Sequence, residues 1–355
     1  MNIESYLSTF NFPYLQIEAL GRELSTKSPK GLYAPIAYSL EAGGKRIRPT
    51  LALLASQIWN APEEEVMPAA LALEVFHTFT LLHDDVMDNA STRRGRDCVH
   101  VKWDPNTAIL SGDQMLIEAY RLLSQVPEWA VPETLRLFND MATEICEGQQ
   151  MDMDFERSDL SSLSASDLST FNFQLSIPSD RGLGPRTFNY MLMISKKTSA
   201  LLAYALRIGA YIAKAPQEHQ MALFRFGMAL GKAFQIQDDY LDCFGTEETL
   251  GKAIGGDIRE HKKTYLYLTA LESRLSSLSD SGLSTLSDSG LLSILNSGDF
   301  DAVTALYKEL KVDQLAQQAV ADLTRQAIAE LAPLPDTPAR SRLIHLASQL
   351  ISRKK

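Results

Sequence analysis

EVFHTFTLLHDDVMD, residues 74–88, is a mostly apolar stretch without glycine or proline that ends in three carboxylates, Asp84, Asp85 and Asp88. It reads as a buried helix with charge gathered at one end. Residues four apart are neighbours on a helix, with Cβ atoms roughly 5–6 Å apart, so Asp84 and Asp88 share a face. One heptad back, His77 falls on nearly the same side, giving a stripe of His77, Leu81, Asp84 and Asp88. Ionised carboxylates in an apolar setting are costly unless cations or water meet them. Carboxylates that keep several waters and share an ion with phosphate oxygens are the usual magnesium arrangement.

Residues 234–242, FQIQDDYLD, repeat the solution about 150 residues further on. Gln235, Asp238, Asp239 and Asp242 stand at i, i+3, i+4 and i+7, one continuous helical face. One such cluster alone is as readily a solvated helix end. Two DDxxD clusters, each on its own apolar helix, point to two sets of metal-holding carboxylates.

The surrounding chain bounds the possibilities. Its 355 residues are 45% hydrophobic, enough for a large core. Cys98, Cys146 and Cys243 are widely spaced, with no CxxC, which suggests neither a disulfide framework nor zinc and fits a reducing, cytoplasmic setting. The opening MNIESYLSTF lacks a basic n-region and a long apolar run, so no signal peptide is expected. No run reaches about 18 uninterrupted apolar residues, so no stable membrane insertion is expected. A net charge of −10 argues against nucleic acid as the main partner.

Read in order, the chain is helix after helix. An amphipathic helix opens it over 1–25. Gly43-Gly44 breaks a helix, and Pro49 stands where a first turn tolerates it. Pro62 and Glu63 to Glu65 open the helix that runs to the first aspartates. STRRGRD, from Ser91, reads as a basic loop. Further helical patterns cover roughly 107–125, 132–157, 185–214, 216–244, 261–280, 299–311, 313–332 and 337–353, and no strand pattern competes. The expected fold is all-α, one domain over 1–355, a large helical bundle with ligands inside it. Two Ser-rich insertions stand out, near 158–182 and 273–298. The second holds a tandem octamer, SSLSDSGL then STLSDSGL, too few copies for a solenoid.

Basic residues gather near the glycine breaks and the aspartates: Lys45, Arg46 and Arg48; Arg93 and Arg94; Lys197 beside Thr198; Lys252; Lys262 and Lys263. Each alone is as readily a solvated surface charge. Together with two acidic clusters they imply magnesium and diphosphates held together.

The motifs GGKRIRP, LLHDDVMDNASTRRG, KKTSALL, FQIQDDYLD, GGDI and KKTYL resemble those of the trans-isoprenyl diphosphate synthases, the polyprenyl synthetase family, from about Lys27 to the end. The resemblance implies an α-helical bundle of the isoprenoid synthase type with a central active-site cavity, usually a homodimer. It implies head-to-tail condensation of isopentenyl diphosphate with an allylic diphosphate and release of pyrophosphate. Three magnesium ions per active site are implied, two held by Asp84, Asp85 and Asp88 and a third by Asp238 with Asp239 and Asp242. Arg93, Lys197, Thr198, Gln235, Lys252 and Lys262 match positions that hold the allylic diphosphate. Lys45, Arg48, His77 and Arg94 match positions that hold isopentenyl diphosphate. Asp84, Asp85, Asp88, Lys197 and Asp238 carry the catalytic burden in this picture, by stabilising the departing pyrophosphate.

The same resemblance bears on product length. Phe79, five positions before Asp84, with Phe76 deeper, would floor the cavity and stop growth early, at twenty carbons first and fifteen second. On a straight helix Phe79 lies about 140° around from Asp84, so this role rests on the resemblance alone. Two rivals stay open from the sequence. A class I terpene cyclase also ionises a prenyl diphosphate, but its second metal motif is usually of an Asn/Ser/Glu type. A non-catalytic partner subunit of a prenyl synthase typically loses one aspartate cluster, and this chain keeps both.

Overall fold

The computed structural model describes residues 11–157, 185–246, 254–277 and 288–351. They cluster into two compact units: Met1–Met141 with Leu201–Phe224 and Pro333–Leu346, and Ala142–Ala200 with Arg225–Ala332 and Ala347–Lys355. The architecture is all-α, and the described residues contain only one two-stranded sheet. The insertion at 158–182 lies outside the described residues, as do residues 278–287 of the tandem octamer.

The first unit is built on α1 (Asn11–Thr26), α2 (Lys30–Leu40), α3 (Ile47–Gln57), α4 (Glu63–Met87), the short α5 (Val99–Lys102) and α6 (Pro105–Leu123). Helix α4 is the axis. Pro62 caps it, and Glu63, Glu64 and Glu65 occupy its first turn, where the positive end of the helix dipole favours them. Leu71, Leu73, Val75 and Phe76 are buried, each contributing about 1.5–3 kcal/mol relative to exposure. Helix α4 packs most extensively on α6 and next on α3. Helix α6 starts at Asp104, whose carboxylate accepts from the Thr107 N–H at 3.0 Å, with Pro105 as first helical residue. Of the described helices, only α4 is long and apolar enough to cross a membrane, and most of it is buried in the protein.

The expected basic loop after Ser91 is a hairpin, β1 (Thr92–Arg93) paired with β2 (Arg96–Asp97). Arg94 and Gly95 form its turn with φ of 53° and 72°. Two successive positive φ values are the signature of a type I′ turn, which matches strand twist. Strands of two residues are too short to print an alternating pattern on the sequence.

The second unit holds α8 (Pro185–Ile194), a π-helical turn at Ser195–Ser199, α11 (Gly256–Arg259), α12 (Tyr265–Ser277), α13 (Asp288–Leu295), α14 (Phe300–Glu309) and α15 (Val312–Glu330). Helix α9 (Ala200–Ile212) follows the π turn; α7 (Val131–Arg157), α10 (Gln217–Phe244) and α16 (Pro338–Ile351) supply residues to both units. The core of the second unit joins Ile194, Ile236, Leu266, Leu306 and Leu323. Two helical patterns differ from expectation. The run over 185–214 is interrupted by the π turn, against which Gly148 of α7 packs so closely that an added Cβ would sit 2.3 Å from the Lys197 nitrogen. The run over 261–280 starts only at Tyr265. Before it, the Lys262 N–H donates to the Asp257 carbonyl and the Tyr265 N–H to the Asp239 carboxylate, at 2.8 and 3.0 Å, bonds that a continuous helix would not make.

Candidate active site

Helix α4 ends at Met87, and Asp88 is its C-cap, donating its N–H to the Asp84 carbonyl at 2.8 Å. The last turn holds Asp84 and Asp85 and no basic residue. Carboxylates at the negative pole of a helix are electrostatically disfavoured until cations arrive. The hairpin delivers one: Arg93 Nε donates to Asp85 Oδ1 at 2.6 Å, and its guanidinium reaches within 3.8 Å of Asp84. Asp85 is buried, Asp84 half-buried and Asp88 exposed. Burial pushes the neighbouring Cys98 thiol up to about 12, with the Asp85 charge adding to it.

Upstream on α4, His77 is surrounded by positive charge. Burial holds it well below its usual 6.5, and Arg48, Arg94, Arg93 and Arg46 push the same way. Burial also lowers Arg48, to about 10; Glu74 opposes that shift and Arg94 adds to it. Arg94 is lowered chiefly by burial. Arg48, His77 and Arg94 therefore form one electropositive cluster, with Lys45 half-buried close by in sequence. Arg46 does a different job. Its side chain and that of Glu74 are both buried and meet at 2.6 Å, and Arg46 also donates to the Leu40 carbonyl. Breaking such a pair from one side costs about 3–5 kcal/mol, so Arg46 fixes the α2–α3 link rather than joining the anion cluster.

The two glycines before Lys45 have a steric reason. Arg94 donates to the Gly43 carbonyl, and its guanidinium lies where a Cβ on Gly44 would be, 2.5 Å away. Gly44 also has φ of 123°, which L side chains rarely adopt. Beside these groups opens a cleft lined by Tyr38, Thr78, Leu81, Asp85, Arg93 and Arg94 among others.

In the second unit, the aspartates of α10 split by role. Asp238 is half-buried, while Asp239 and Asp242 are 4% and 0% exposed. Asp239 accepts from the Tyr190 hydroxyl at 2.5 Å, the Tyr265 N–H at 3.0 Å and Gln235 Nε2 at 3.1 Å. Burial and the charge of Asp257 still raise it to about 7. Asp242 accepts from the Asp257 N–H at 3.0 Å, which anchors the Gly255-Gly256 turn. Gln235 in turn accepts from Thr198 at 3.1 Å, and Lys197 pairs with Asp152 at 2.5 Å. Both Lys197 and Thr198 lie in the π turn, a distortion frequent at functional sites. Lys262 meets Glu260 at 2.9 Å, whereas Lys263 donates to the Phe155 carbonyl near the end of α7. Lys252 lies outside the described residues. Asp257 belongs to the motif GGDI, whereas Asp152 and Tyr190 stand in none of the quoted motifs. Tyr190 stands seven residues before Lys197, and that helical spacing is the only local clue to it.

No group of three or more His, Cys, Asp or Glu side chains among the described residues encloses a metal by itself. The donors on α4 nonetheless fit magnesium. They are carboxylate oxygens alone, one turn apart, at a helix end whose dipole favours cations. Magnesium is typically bound through one or two carboxylates plus waters and substrate phosphates.

Phe76 is buried against Phe138 and Phe79, with ring centroids 5.1 and 5.4 Å apart. Phe79 is half-buried and stacks edge-on with His83 at 4.7 Å. His83 is tied to the Ile109 carbonyl at 3.1 Å, as befits a structural histidine.

Comparison with known proteins places this geometry. Residues 29–281 match the family model Polyprenyl synthetase. A geranylgeranyl diphosphate synthase of Methanosarcina mazei is 38% identical over 256 residues, 72% of each chain. A geranylfarnesyl diphosphate synthase of Natronomonas pharaonis is 33% identical over 358 residues, covering 95% of this chain and 94% of that one. A crystal structure of a geranylgeranyl pyrophosphate synthase superposes with a TM-score of 0.79 at 36% identity, covering 98% and 99% of the two chains. The chain belongs to the polyprenyl synthetase family and is an isoprenyl diphosphate synthase, a trans-prenyltransferase.

Proposed function

We propose that the enzyme condenses isopentenyl diphosphate with an allylic diphosphate to a twenty-carbon prenyl diphosphate. One observation carries the site reading: α4 holds a cation-surrounded, neutral imidazole at His77 and three carboxylates at its end, so one helix offers a diphosphate and its counter-ions adjoining places. Arg48, His77 and Arg94, with Lys45, hold isopentenyl diphosphate. Arg93, Lys197, Thr198, Gln235, Lys252 and Lys262 hold the allylic diphosphate. Asp84, Asp85 and Asp88 would hold two magnesium ions, and Asp238 with Asp239 and Asp242 would hold a third. When bound, the ions neutralise charge that develops on the departing pyrophosphate. Arg93 and Lys197 add fixed positive charge to the same oxygens. Loss of pyrophosphate leaves an allylic cation. The double bond of isopentenyl diphosphate attacks it, and the new cation loses a proton to an oxygen of the released pyrophosphate, with no protein nucleophile required. Apolar packing along α4 keeps water from the cation.

The relatives named above carry twenty- and twenty-five-carbon product names. Fifteen carbons, the second expectation from sequence, therefore gives way. The test is one incubation of purified protein and magnesium with labelled isopentenyl diphosphate and dimethylallyl, geranyl or farnesyl diphosphate, read by mass. A twenty-carbon product is expected. Phe79→Ala, which opens the half-buried ring position, is expected to lengthen it by at least one five-carbon unit; an unchanged distribution would remove Phe79 from the floor. Pyrophosphate release with no isopentenyl incorporation would instead indicate cyclase chemistry.

A further inference from the structure

The hairpin that carries Arg93 and Arg94 has strands of two residues each. A two-stranded ribbon is at best marginally stable alone, and Arg94 sits at a φ that non-glycine residues avoid. An outside group must hold it. Tyr38, in the last turn of α2, grips β2 by three contacts and takes a fourth from α5. Its hydroxyl donates to the Asp97 carbonyl at 2.9 Å. Its own carbonyl accepts from Arg96 at 3.4 Å. The Arg96 guanidinium lies 3.9 Å and the Lys102 ammonium 3.8 Å from its ring centroid. Trp103 closes the stack edge-on at 5.2 Å.

We propose that Tyr38 is a positioning residue for diphosphate binding: it clamps β2 so that the turn presents Arg94 to the isopentenyl diphosphate site. The motif RRGR offers three arginines, and each has a separate station. Arg96 is held on the Tyr38 ring, Arg93 is bound to Asp85, and Arg94 reaches the Gly43 carbonyl beside Arg48 and His77. Cation–π contact holds the Arg96 guanidinium on the Tyr38 ring, away from Arg94, and fixes the direction of the turn. Tyr38 also lines the cleft that Arg93, Arg94 and Asp85 share, so a shift of the ring is felt at all three. This inference rests on the reading of Arg94 as a diphosphate ligand.

The experiment compares Tyr38→Leu, Tyr38→Phe and Arg94→Ala by steady-state kinetics. It adds calorimetry of isopentenyl diphosphate binding with no allylic partner present. Tyr38→Leu is expected to raise both KM and Kd for isopentenyl diphosphate about tenfold, with kcat changed less than about twofold. Tyr38→Phe keeps the ring and loses only the hydroxyl bond, so a rise of about threefold is expected. A merely structural residue would lower the melting temperature and kcat and leave KM alone, and that result overturns the proposal. If Tyr38→Leu does not fold, the Tyr38→Phe Kd decides: no change overturns the clamp. A raised KM in Arg94→Ala with both Tyr38 variants unmoved overturns the clamp alone. No change in Arg94→Ala overturns the clamp and the site reading together.

Discussion

His77 stays neutral at pH 7 because burial and four guanidinium groups all oppose its protonation. A neutral imidazole can donate one hydrogen bond to a phosphate oxygen without adding to the repulsion among Arg48, Arg93 and Arg94. The same fact sets a pH dependence of stability. The unfolded chain takes up a proton near the usual 6.5, whereas the folded chain does so only well below it. Folding is therefore unpenalised above 6.5 and loses stability as pH falls, by at most about 1.4 kcal/mol per pH unit, until the folded histidine also titrates. His77→Gln should flatten that decline. Urea midpoints at pH 7.5 and 5.5 check it, and equal declines in the two proteins would reject it. The stripe of His77, Asp84 and Asp88 was legible because helical spacing is a local property. The partners of Asp239 were not, since Tyr190 and Tyr265 reach it from 49 and 26 residues away.

Among the elements, the π turn at Ser195–Ser199 shows how neighbouring helices dictate local geometry. Gly148 on α7 and Gly231 on α10 let their backbones approach it, with an added Cβ meeting Lys197 N at 2.3 Å or Ser199 Cα at 2.5 Å. Both obstacles are backbone or Cα atoms, so nothing flexible can yield. Gly148→Ala is expected to cost about 1–3 kcal/mol. It should also displace Lys197 from Asp152 and lower kcat/KM at least about tenfold. A variant with unchanged melting temperature and activity would show that the close approach has no consequence. Residue composition predicts a helix over this stretch and nothing more, because the distortion comes from what packs on it. The hairpin was illegible for the opposite reason: each strand is shorter than the period needed to see one. The proline and glutamates opening α4, by contrast, announced its start to the residue.

For the molecule as a whole, a net charge of −10 coexists with a cationic pocket for anionic substrates, because charges a few ångströms away outweigh distant ones. Apolar exposure is equally local. Ile109, Leu110, Ile117 and Tyr120 are all exposed on α6, the helix that backs the catalytic α4. We propose that a second copy of the chain covers this face. Ile117→Glu is then expected to lower the mass seen in light scattering and to reduce turnover; an unchanged mass would reject this face as an interface. Helix α4 adds a consequence for biosynthesis. It is the described helix that a lipid bilayer would accept by length and composition, and it is synthesised before α6, its principal cover. A nascent chain that has not yet emitted Pro105 therefore leaves open the face of its future catalytic helix that α6 will cover, and translation speed through residues 88–123 sets how long that face stays open.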